Sequence, residues 1–205
     1  MDSHEAGAPR RIVVGISGAS GAAYGVRTLA HLAAIGVETH LVMSRSSHLT
    51  IAQELSMQPG DVQKLASVNY RIQDVGAAIS SGSFRTLGMI IAPCSVRTMS
   101  EIATGVTSSL LTRAADVVLK ERRKLVLMVR ETPLHLGHLR TMTQLAEMGA
   151  IIMPPVPAMY ALPKTLEQMV DHTVGRALDL FGLDTGTVTR WQGMGRAADQ
   201  SVPDE

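Results

Sequence analysis

The chain has 205 residues, of which 45% are hydrophobic and 18% charged, with a formal net charge of +1. This balance excludes a disordered chain and a nucleic-acid binder driven by bulk charge, and the length suits one full-sized domain. The single cysteine, Cys94, excludes an intramolecular disulfide and a cysteine-rich zinc site, and it points to a reducing, cytoplasmic setting.

Residues 1–10 are small and polar and are expected to form a flexible tail, followed by one domain over 11–192 and a second tail over 193–205. "RIVVGIS" from Arg11 reads as a buried strand. Gly15, Gly18 and Gly21 interrupt the apolar run, and no stretch of about 18 apolar residues exists to span a membrane. "AAYGVRTLAHLAAIG" follows as a helix stopped by Gly36. "VETHLVMS" is the next strand, and "SHLTIAQEL" the next helix. Residues 57–79 predict a short helix and irregular chain. "LGMIIAPCS" is a third strand, with helices through "VRTMSEIATG" and "SSLLTRAADVVLKERR". "KLVLMVRE" is a fourth strand, "HLGHLRTMTQLAEMG" a helix, and "AIIMPPVP" a fifth strand ending in prolines. "TLEQMVDHTVGRALDLFG" forms the last helix.

Strand–helix alternation of this kind predicts an α/β fold: a parallel sheet with helices on both faces, a three-layer sandwich. Ligands of such sheets bind at the carboxyl ends of the strands. The residues expected there are Ser17 to Gly21, Ser44, Pro93 to Thr98, Arg130-Glu131 and Pro157 to Tyr160.

The glycines at 15, 18 and 21 spell neither the dinucleotide fingerprint nor a P-loop. Ser44 stands where a dinucleotide fold would place an acid for the ribose diol, so the pattern favours a mononucleotide. The backbone amides of the 18–21 turn, Ser20 and the following helix dipole would form a small anion site; a plain tight turn is the alternative. "PCSVRTMS" offers a second anion or carbonyl cradle through Ser95, Arg97 and Thr98, or else an ordinary helix cap. Arg130-Glu131 follows directly on an apolar strand and is expected to project into the crevice. His135 and His138 lack an assured third ligand, so no metal site is expected. Cys94 reads as a small buried filler. Arg176, by position alone, reads as a snorkelling helix residue.

Taken together, "GISGASGAAYG", "HLVMS", "PCS", "LLTRAADVVLKERR", "RETPLHLGHL", "GAIIMPPVPAMY" and the Arg190-Trp191 pair resemble the UbiX-type flavin prenyltransferases, in the same order and over nearly the whole chain. The resemblance implies a Rossmann-like, flavodoxin-like fold and a homododecamer. It implies metal-independent transfer of a dimethylallyl group from dimethylallyl phosphate to reduced FMN. The product, prenylated FMN, would serve a UbiD-type decarboxylase. By the same resemblance Gly18, Ala19, Ser20, Ser44, Ser95, Val96, Arg97, Thr98 and Arg130 would bind FMN. Tyr160, Arg176 and Lys120 would hold the donor phosphate. The catalytic residues the resemblance implies are Glu131, Lys120, Ser20, Glu54 and Trp191, with Glu131 carrying a proton, Glu54 and Ser20 near the flavin, and Trp191 near the prenyl group. Arg97 and Met159 depart from the pattern, which has lysine and an aromatic there in many relatives. Rival readings are a flavin-dependent cysteine decarboxylase, which would need a histidine after the first strand, a direct aromatic-acid decarboxylase, and a mere FMN carrier.

Overall fold

The computed structural model describes residues 10–193, so most of both expected tails lies outside the described residues. Arg10 is already tied to the sheet, its carbonyl accepting from the Glu38 amide at 2.9 Å. The strands are β1 (Arg11–Ile16), β2 (Glu38–Met43), β3 (Val68–Tyr70), β4 (Gly88–Cys94), β5 (Lys124–Val129) and β6 (Ile151–Ile152). The helices are α1 (Ala22–Ala34), α2 (Arg45–Leu55), α3 (Pro59–Gln63), α4 (Val96–Ala103), α5 (Leu110–Lys120), α6 (Leu136–Glu147) and α7 (Leu166–Asp179). Among the described residues no helix is long and apolar enough to cross a membrane.

All strand pairings are parallel, in the order β3-β2-β1-β4-β5-β6, which is the doubly wound, Rossmann-type order. β1, β4 and β5 are buried along nearly their whole length, which is why they read as continuous apolar runs rather than alternating ones. One core joins α1 and α7 to one face of the sheet; the other joins α4 and α5 to the opposite face. α1 lies close on the sheet at Gly25, where an added Cβ would meet the Ala92 carbonyl and the Ile16 side chain.

Five strands were expected and six are found. β3 escapes the sequence pattern because it is three residues long at a sheet edge, with no fully buried residue. The short helix expected within 57–79 is α3. β6 keeps only two residues because Pro154, Pro155 and Pro157 cannot supply ladder amides.

After β3 the chain crosses to the other side of β1, so the strand order reverses between β1 and β4. That is the point where a doubly wound sheet opens a crevice at its carboxyl edge. The strand ends there are tied together. Ser17 Oγ donates to the Pro93 carbonyl (2.7 Å) and accepts from the Ser95 amide (2.8 Å). The Ser44 amide donates to Ile16 (2.9 Å) and the Arg130 amide to Cys94 (3.0 Å).

Candidate functional site

Three helices of eight residues or more begin at the carboxyl edge and point their amino ends into one cleft of about 600 Å³. Ser44 caps α2, its side chain accepting from the Ser47 amide at 3.1 Å. Ser95 caps α4 through the Thr98 amide (3.3 Å) and donates its hydroxyl to Thr98 Oγ1 (3.1 Å). Ser109 caps α5 in a reciprocal box with Thr112. The first amides of a helix have no partner within it, and its dipole favours negative charge. Three such ends, lined with serine and threonine hydroxyls and with Arg45 and Arg97, make the cleft suited to a phosphate.

Ser46, Ser108, Ser109 and Glu101 also line the cleft and were missed from sequence. Ser46 Oγ lies 3.1 Å from Ser44 Oγ. The signal for it was the serine run directly after β2. Glu101 takes the Arg97 guanidinium (2.9 Å) and the Ser108 hydroxyl (3.0 Å), so Arg97 lies along α4 with most of its side chain exposed.

The glycine turn corrects one expectation. The amide of Gly21, in the turn expected to hold an external anion, donates instead to Glu54 Oε2 at 2.8 Å, and the Ala22 amide at the start of α1 donates to the same oxygen at 2.9 Å. The carboxylate at the end of α2 thus caps α1. Burial alone would raise the Glu54 carboxyl, but the two amides, the Ser20 hydroxyl and Arg130 outweigh it and hold the group below its ordinary value. A carboxyl lowered in the native state contributes stability that is complete above the ordinary carboxylate range and is lost as pH falls through the native value. Glu54→Gln should therefore flatten the acid limb of the stability–pH curve, measured by urea unfolding across that range, with little change in its slope near neutrality.

Arg130 and Tyr24 complete this corner. Burial raises the Tyr24 hydroxyl, and the nearby Arg130 charge opposes the rise. Glu131 is half-buried and its Oε1 accepts from the Thr132 amide (3.0 Å). Cys94 is fully buried, which pushes its thiol up to about 12 and leaves it inert. His135 Nδ1 accepts the amides of Gly137 and His138 and so caps α6, with the His138 ring stacked on it. Among the described residues no group of three or more metal-ligating side chains comes together.

The family model described as Flavoprotein matches residues 2–178. The flavin prenyltransferase UbiX of Thauera aromatica is 58% identical over 89% of this chain and 94% of its own length. A crystal structure of AnUbiX (PadA1) in complex with FMN and dimethylallyl pyrophosphate superposes with a TM-score of 0.90 at 49% identity, covering 92% of this chain and all of that one. This chain belongs to the UbiX flavin prenyltransferase family. A dodecameric FMN-dependent UbiX-like decarboxylase from Escherichia coli O157:H7 is also similar, with a TM-score of 0.87 at 48% identity over 89% of this chain and all of that one.

As a UbiX-family protomer, the chain gathers some of the expected residues and separates others. Gly18, Ala19, Ser20, Glu54 and Arg130 gather around the glycine turn, beside the cleft that Ser44, Ser95, Arg97 and Thr98 line, with Val96 half-buried in the first turn of α4. Lys120, Tyr160, Arg176 and Trp191 do not line that cleft. Lys120 ends α5, paired with Glu121, at the amino edge of the sheet. From that edge to Arg130 lies the length of β5, on the order of 17 Å. Arg176 sits in the last turn of α7, bonded to Asp179 (2.6 Å). That end of α7 also lies at the amino edge, since Lys124 at the start of β5 donates to the Leu180 carbonyl (2.6 Å). Tyr160 and Trp191 pack edge to face with centroids 5.6 Å apart, and Tyr160 also rests on His172 of α7 at 5.7 Å.

Proposed function

We infer that this chain is a flavin prenyltransferase that joins the dimethylallyl group of dimethylallyl phosphate to reduced FMN, yielding prenylated FMN for a UbiD-type decarboxylase. Membership of the UbiX family supports this, and the observation that carries it is the convergence of the α2, α4 and α5 amino ends on one cleft beside the Ser20–Glu54–Arg130 corner. The donor set fits a flavin mononucleotide. Ser44, Ser46, Ser95 and Thr98 would hold its phosphate, and Gly18, Ala19, Ser20, Val96, Arg97 and Arg130 the rest. Reduced flavin supplies an electron-rich ring as the acceptor of the five-carbon unit.

The protein's own groups then have separate tasks. Ionisation of an allylic phosphate leaves a dianion beside a carbocation. Lys120 and Arg176 would take up the dianion's charge, and the Tyr160 hydroxyl would add a hydrogen bond. Glu131 would hold the proton exchanged with the leaving group. Trp191 offers a π face that shelters a cation without reacting with it. Much of the rate would come from holding donor and flavin in register.

Because one protomer does not bring Lys120, Tyr160 and Arg176 to the cleft, further copies of the chain would supply them, in keeping with the dodecameric state of the Escherichia coli relative. The lone, buried Cys94 suits a cytoplasmic location.

Release of inorganic phosphate from dimethylallyl phosphate tests the inference. It should require reduced FMN and stop with oxidised FMN. Release without flavin would indicate a phosphatase, and release of neither phosphate from the monophosphate nor pyrophosphate from the pyrophosphate donor would leave an FMN carrier.

A further inference from the structure

The stretch from Thr185 to Trp191 is fastened along α7 at successive turns. Thr187 Oγ1 reaches the Asp171 carbonyl (3.4 Å), and the Nε2 of buried His172 meets the Thr189 carbonyl (3.3 Å). Gly175 gives Thr187 and Val188 room to pass, since a Cβ there would come within 2.7 Å of both. Arg190 then forks onto Asp179, Nη1 to Oδ2 and Nη2 to Oδ1, each at 3.0 Å. Trp191 is the next residue, lying on Tyr160.

Asp179 is the node of this arrangement. Its side chain is only 14% exposed, and it serves two guanidiniums, whose side chains are 47% (Arg176) and 48% (Arg190) exposed. Arg190 occupies both carboxylate oxygens, so Arg176 is left with one bond, to Oδ2. The other N–H groups of Arg176 meet no acceptor among the described residues. Asp184 Oδ2 lies a further 3.5 Å from Arg190 Nη2, so Arg190 has a second carboxylate beside it, whereas Arg176 has only its share of Asp179. With Arg190 removed, nothing on the protein would keep Asp179 from taking Arg176 into a two-pronged pair, which is the favoured geometry of guanidinium and carboxylate.

We propose that Arg190 is a positioning residue for the donor: by engaging both oxygens of Asp179 it keeps Arg176 directed outward to a phosphate. The inference rests on the reading of Arg176 as a donor-phosphate ligand. Arg190 acts through Asp179 and touches no reacting atom.

Steady-state kinetics of the assembled protein test it, with dimethylallyl phosphate varied at saturating reduced FMN. Arg190→Ala should raise KM for the donor about tenfold, as the loss of one well-placed charged contact does, while kcat and the Kd for FMN stay within about twofold. Arg190→Lys should not restore KM, because an ammonium cannot cover both carboxylate oxygens. Adding Asp179→Asn to Arg190→Ala should bring KM back to within about threefold of wild type, since the group that draws Arg176 away is gone. A role confined to fastening the chain would lower the melting temperature and leave the double variant no better than Arg190→Ala, and that result would overturn the proposal. If Arg176→Ala raises KM strongly while Arg190→Ala does not, Arg190 has no such role although the donor reading stands. If Arg176→Ala itself leaves KM unchanged, the donor reading fails and the proposal with it. Should Arg190→Ala not fold, Arg190→Gln keeps most of the side chain, and the same KM comparison decides.

Discussion

Gly18→Ala should cost the protein its FMN. The glycine turn approaches the start of α2 so closely that a methyl on Gly18 would overlap the Cβ and Oγ of Ser46 and lie 3.1 Å from the Ser46 carbonyl carbon. These atoms belong to a short side chain and to backbone, so neither can swing clear. Relief requires the turn and the amino end of α2 to move apart. That motion would carry Ser20 away from Glu54 and shift Ser44 and Ser46 away from the glycine turn, and so disrupt both parts of the site together. Overpacking of this kind costs about 1–3 kcal/mol, and where it falls on binding groups it lowers affinity by roughly 10- to 100-fold. Fluorescence titration with FMN would read this directly. The sheet core lies elsewhere, so the circular dichroism of the variant should match wild type.

The second large effect concerns the division of the site. Arg130→Ala and Lys120→Ala should each reduce turnover by about 100-fold or more, as the loss of a charged group facing developing charge does. Arg130 stands at the carboxyl edge of the sheet and Lys120 at the amino edge, with β5 between them. If other copies complete the site, oligomers formed by co-expressing the two variants will contain some sites with both residues intact, and part of the activity will return. Sites built within one protomer would gain nothing from mixing. Wild-type chains mixed with the double variant Arg130→Ala/Lys120→Ala serve as the control for dilution.

Much of the scaffold was legible in the sequence because buried parallel strands leave an unmistakable trace. β1, β2, β4 and β5 appear as apolar runs, and the turn residues after them mark the carboxyl edge. β3 left no such trace, having only Val68 and Tyr70 half-buried at a sheet edge. The serine at 95 was readable as a helix cap, yet that the capped ends at Ser44, Ser95 and Ser109 share one cleft follows from strand order, which local pattern does not encode. The glycine turn misled for a related reason. It shows that amides at the start of α1 need an acceptor, but not that Glu54 would return from the end of α2 to provide one. Lys120 and Arg176 were named through a family pattern, and only the sheet reveals that they lie at the edge opposite the glycine turn.

The most direct measurement is the mass of the flavin after anaerobic incubation of the protein with reduced FMN and dimethylallyl phosphate. Prenyl transfer predicts a flavin heavier by one five-carbon unit, formed in step with inorganic phosphate and absent in the Lys120→Ala variant. A flavin of unchanged mass after incubation with both the monophosphate and the pyrophosphate donor would contradict it.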